Sequence, residues 1–130
     1  MTHSLSVYQG EQCVFHSDGN WLHPLFELEA VIKDKTLDPG TLTVHDKIVG
    51  AGSAFLIAHL GIRYLHAGIL SQRGEAVLQR FGISFTGDTR VERVACATEG
   101  LLDPAMPVAE AVAILRQRAG RGGGSIATFL

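Results

Sequence analysis

VHDKIVGAGSAFLIAHLG, residues 44–61, runs from a short β-branched segment through Asp46-Lys47 and two glycines into a long apolar run. TLTVH, at the head of this stretch, has strand composition. The glycines mark a change of period, so the pattern predicts a strand followed by a helix from about Ile48 to Leu60, with Gly61 as its C-cap. That helix carries Ile48, Val49, Ala51, Ala54, Phe55, Leu56, Ile57 and Ala58, apolar on nearly every side. Such a helix has no polar face to turn to water and is expected between a sheet and other elements.

Downstream, IRYLHAGIL reads as a second internal strand, SQRGEAVLQRF as an amphipathic helix with Val77, Leu78 and Phe81 inward and Gly82 as its stop, and ISFTG as a further strand. DTRVERVACATEGLLDP is open between one helical turn and two around Val91, Val94 and Ala95, and VAEAVAILRQRAG is a final helix with Val108, Val112 and Leu115 on one face. Upstream, SLSVYQGEQCVFHS alternates as two antiparallel strands about Gly10. HPLFELEAVIKDK places Pro24 in the first turn of a helix with Leu25, Leu28 and Ile32 at helical spacing, and LDPGT ends it. A hairpin followed by strand-helix-strand-helix-strand predicts an α/β fold: a mixed sheet in a three-layer α/β/α sandwich.

The 130 residues, 46% hydrophobic, suffice for one core, and the expected organisation is a single domain over residues 1–120 with a Gly-rich tail at 121–130. A formal net charge of -2 lacks the broad positive surface that nucleic acid requires. The longest apolar stretch falls far short of the roughly 20 residues that span a bilayer. With only Cys13 and Cys96, and no secretory pattern at the start, the expected setting is the reducing cytoplasm.

The order hairpin, helix, strand, DKIVG, apolar helix, strand, Ser71, amphipathic helix and FGI resembles a small bacterial and archaeal family of unknown function with a cytidine-deaminase-like fold. The resemblance covers most of the chain and is most specific at Asp46-Lys47-x-x-Gly50 and at the strand-Ser71-helix-Gly82 unit. The family's Cys-Pro-x-Glu is similar to CATE here, matching at Cys96 and Glu99 with Ala97 in place of proline. In deaminases of that fold a His-x-Glu or Cys-x-Glu opens one helix and a Pro-Cys-x-x-Cys the next, supplying three zinc ligands and a proton-shuttling Glu. Under the resemblance, the two cysteine positions fall at Ser71 and Gly74, and the His-x-Glu falls among Gly50, Ala51, Gly52 and Ser53. None of these makes a tetrahedral zinc site, so neither metal nor cofactor is expected, and deaminase chemistry is not.

The resemblance then implies two helix starts, at Gly50 to Ser53 and at Ser71 to Gly74, in one crevice at the strand ends. Orphan amides and the helix dipole favour an anion there, and Lys47 and Arg73 add positive charge. The expected ligand set is Asp46, Lys47, Gly50, Gly52, Ser53, Ser71, Arg73 and Gly74, for a nucleotide, phosphate or carboxylate. The plainer reading is that the glycines permit close packing and that Ser71 is an N-cap. GAGSA is not a P-loop, because no Gly-Lys-Ser/Thr follows.

Asp46 is read either as a carboxylate at a helix start or as a general base or hydroxyl acceptor. Cys96 is read either as a packed thiol or as a reactive one needing a base, for which His45, His59 and His66 are the candidates, and Glu99, the other matched position of CATE, is grouped with it as a candidate reactive residue. The six histidines show no metal-ligand spacing, and Trp21 reads as a staple over the first helix. The apolar SIATFL after three glycines is expected to dock on its own domain or on a second copy, giving a homo-oligomer, the alternative role being a non-catalytic interaction module.

Overall fold

The computed structural model describes residues 3–94 and 99–120. Five strands form one sheet: β1 (Leu5–Gln9), β2 (Gln12–Ser17), β3 (Leu42–Val49), β4 (Tyr64–Ser71) and β5 (Ser84–Val91), in the order β2-β1-β3-β4-β5. β1 is antiparallel to β2 and β3, whereas β3, β4 and β5 are parallel, so the sheet is mixed as expected. The helices are α1 (His23–Lys35), α2 (Ala51–Leu60), α3 (Gln72–Arg80) and α4 (Val108–Arg118).

The helix starts at Ala51, not at Ile48. Ile48 and Val49 belong to β3, where their β-branched side chains stand opposite Ile69 and Leu70 of β4. β5 likewise runs past the expected end of ISFTG to Val91, paired with Ser71, so Val91 closes a strand and not a helical turn. Gly61 and Gly82 follow α2 and α3 with φ of 83° and 68°, the left-handed conformation that lets a helix stop.

Parallel neighbours joined by right-handed crossovers place their helices on one side of the sheet. Accordingly α1, α3 and α4 all pack against α2, and α2 is buried from Ala51 to Ile57. Arg116 of α4 grips Glu29 of α1 through two hydrogen bonds of 2.9 and 2.7 Å. The sheet's other side carries a half-buried to exposed polar row: Tyr8 against His45, His45 against His66, and His66 bonded to Thr86 and Asp88. The α/β fold therefore stands, but the three-layer sandwich expected from the sequence is not confirmed: the helices gather around α2. No helix among the described residues is long and apolar enough to cross a membrane.

The core lies between the sheet and α2, with Phe55, Ile57, Leu28, Leu42, Leu70 and Leu78 almost fully removed from water. One irregularity in it positions the site. Leu42, Val44 and Asp46 of β3 are buried in alternation, then Lys47 and Ile48 are both exposed before Val49 is buried again. β4 slips at the same level, with Ala67 buried, Gly68 half-buried, Ile69 exposed and Leu70 buried. A Cβ on Gly68 would stand 2.6 Å from the Lys47 carbonyl oxygen, so glycine is what permits the two strands to meet there.

Candidate functional site

Beyond this slip a cavity of about 860 Å³ opens at the carboxyl end of β3, between the starts of α1 and α2. Asp46 and Lys47 of β3, Gly52 and Ser53 of α2, and Asp18 and Trp21 of the loop before α1 line it. An open α/β sheet places its ligand crevice at this kind of position, outside the carboxyl ends of the strands.

Asp46 is the buried acid of this cavity, only 8% exposed. Burial pushes its carboxyl up to about 7, while the backbone amides of Ile48 and Lys47 favour the ionised form and pull the other way. Near neutral pH this group is therefore divided between an acid that donates and a carboxylate that accepts.

Glu99, 2% exposed, is the second acid. Its Oε1 accepts from the Ala51 amide at 2.8 Å and its Oε2 from the Val94 amide at 3.2 Å. The N-cap residue Gly50 has no side chain to offer α2, so a carboxylate 48 positions beyond Ala51 takes that place. Gly50 makes the room: a Cβ there would stand 2.7 Å from Val94 Cγ2 and 3.0 Å from Glu99 Oε1. Gly52 and Ser53 follow in the first turn, where a helix supplies no acceptor for its own amides, and both face the cavity.

The start of α3 is arranged differently. Ser71, fully buried, accepts from the Gly74 amide at 3.0 Å and caps its own helix. A Cβ on Gly74 would lie 3.0 Å from the carbonyl oxygens of both Val49 and Gly50, so the two helix starts do touch. Arg73 donates to the carbonyls of Glu99 and Leu102, at 3.1 and 3.2 Å, and pins the turn that delivers Glu99. Of the residues singled out from the sequence, the cavity brings together Asp46, Lys47, Gly50, Gly52, Ser53 and Glu99; Ser71, Arg73 and Gly74 lie outside its lining. Cys96 lies outside the described residues, as does the tail at 121–130.

The helix start that shares the cavity with α2 is that of α1, and sequence reasoning did not single it out. Trp21, exposed at the rim, adopts φ of 57°, a left-handed conformation that costs a bulky residue about 1–3 kcal/mol. Its ring meets that of His23 edge to face at 5.6 Å, so it stands at the cavity mouth as well as over the first turn of α1. His3 and His16 converge with Asp18, a juxtaposition that no spacing in the sequence signals.

The profile of a family described as TM1506, a domain of unknown function (DUF1893), matches residues 2–116. Among solved structures, the chain is similar to a DUF1893 family protein (TM1506) from Thermotoga maritima, with a TM-score of 0.76 and 25% identity over 88% of this chain and 80% of that one. No curated protein matches it. A profile covering nearly the whole sequence and a shared fold lead to one conclusion: the chain belongs to the DUF1893 family.

Proposed function

We propose that the chain is a ligand-binding domain, cytidine-deaminase-like in arrangement but without the deaminase zinc ligands, that takes a small anionic molecule such as a nucleotide or phosphate ester in the cavity between α1 and α2. The observation that carries this reading is Asp46, a buried carboxyl facing the same cavity as the first-turn residues Gly52 and Ser53. The ligand's anionic group faces the α2 amides with exposed Lys47 at its side, and protonated Asp46 donates to it. The mixed sheet with strand order β2-β1-β3-β4-β5 supports the deaminase-like comparison, while the cavity joins the start of α2 to that of α1 and not to that of α3.

Glu99 limits what the site accepts. Its carboxylate already neutralises much of the α2 dipole, so the ligand must be anchored by hydrogen bonds and by Lys47 together. Protonation of Asp46 removes a repelling charge, and affinity rises as pH falls through about 7. Isothermal titration with inorganic phosphate, ribose 5-phosphate and nucleoside monophosphates at pH 6 and pH 8 tests this. Tighter binding at pH 6, weakened about tenfold by Lys47→Glu, supports the reading. Absence of binding at both pH values, or affinity indifferent to Lys47→Glu, contradicts it.

The same carboxyl favours a second reading. A buried group poised near neutrality at the wall of a cavity is suited to general acid-base catalysis, with Asp46 passing a proton to or from the bound molecule. Turnover of one of these ligands, lost in Asp46→Asn while binding persists, distinguishes an enzyme from a binding module.

A further inference from the structure

We propose that His3, His16 and Asp18 form a binding site for a divalent transition-metal ion, with zinc as the reference ion, at the outer rim of the cavity. One ligand atom from each residue lies within 4.8 Å of the other two. His3 Nδ1 is 2.8 Å from Asp18 Oδ1, and the imidazoles of His3 and His16 are stacked with centroids 4.2 Å apart and planes 21° from parallel. Two imidazoles and a carboxylate are a donor set suited to zinc, with one position open to water.

The fold assembles this set from both sides of a hairpin. β1 and β2 pair with Leu5 opposite Ser17 and Ser6 opposite His16, which brings the residues before β1 beside those that end β2. The backbone is held there, since Ser4 donates its hydroxyl to the Ser17 carbonyl at 2.8 Å. Tetrahedral zinc, at about 2.0–2.2 Å from each ligand, sets the donor atoms about 3.3–3.5 Å apart. His16 and Asp18 are exposed and His3 only half-buried, so their side chains have room to turn toward that spacing.

Asp18 also lines the cavity, so the ion sits where an entering molecule passes. The proposal is independent of what the cavity binds, because zinc alone is the probe. Untagged protein is titrated with zinc chloride calorimetrically, and with cobalt(II) as a spectroscopic substitute. The expected result is one equivalent bound, with cobalt absorption typical of a four-coordinate site. His16→Ala and Asp18→Asn should each weaken binding by more than the roughly 10–100-fold that loss of an outer-shell partner costs, whereas His45→Ala, on the sheet's other face, leaves it unchanged. Circular dichroism confirms that these surface variants stay folded. Failure to bind one equivalent, or binding that survives His16→Ala or is lost in His45→Ala, overturns the proposal.

Discussion

Two helices begin within touching distance of each other, and they treat their exposed amides in opposite ways. α3 is self-sufficient: Ser71 sits at its N-cap, bonds the Gly74 amide and is fully buried in doing so. α2 begins at a glycine, borrows Glu99 from a distant turn, and leaves the rest of its first turn facing a cavity. A local cap closes a helix end off, whereas a remote cap beside an open cavity leaves room for a ligand. The N-cap reading of Ser71 thus describes α3, and the cavity of the proposed site lies at α2 and α1.

Removing the remote cap gives the largest effect. Glu99→Ala strands a buried amide donor at Ala51 and a part-buried one at Val94, and should lower stability by about 2–4 kcal/mol. Urea denaturation measures this. Glu99→Gln, which keeps one acceptor oxygen, should recover part of the loss; equal loss in both variants would mean that charge, not hydrogen bonding, holds the α2 start.

Asp46 comes next and acts in the opposite direction. Its folded-state pKa is raised from 3.8 to about 7, so the folded protein resists ionisation that the unfolded chain undergoes readily. The favourable protonated state is fully present below about pH 4, and its contribution is lost progressively as pH rises to about 7. Asp46→Asn should therefore stabilise the protein by about 1–3 kcal/mol at pH 8 and hardly at all at pH 4. Thermal or urea melts of both proteins at the two pH values check the sign.

Loss of the local cap is smaller still. Ser71→Ala should cost about 1 kcal/mol, equally at pH 6 and pH 8, with no change in the cavity's ligand response. A ligand response that disappeared with Ser71 would join the two helix starts into one functional unit and erase the contrast between them.

What was legible in the sequence was mostly what neighbouring residues decide. The hairpin about Gly10, the largely apolar helix around Ala54 to Ala58, the stops at Gly61 and Gly82 and the Ser71 cap each depend on interactions within a few positions along the chain. The strand ending of β3 was misplaced because Ile48 and Val49 suit a helix and a strand alike, and only pairing with β4 decides between them. Glu99 stands out in the sequence only as part of CATE, and its bond to the Ala51 amide is a tertiary fact without a local signature. The meeting of α1 and α2 at one cavity and the convergence of His3 with His16 were hidden for the same reason, since both arise from strand order and register. The left-handed Trp21 is the other hidden feature, because nothing in GNWLHP distinguishes a strained aromatic from a relaxed one.

The most direct test of the α2 cavity is a carbon-13 NMR titration of the Asp46 side-chain carboxyl. The expected midpoint lies near 7 and moves upward when an anionic ligand occupies the site. A midpoint near 4, the value of an aspartate in water, would show that Asp46 is solvated and would contradict the buried, proton-carrying site proposed for this domain.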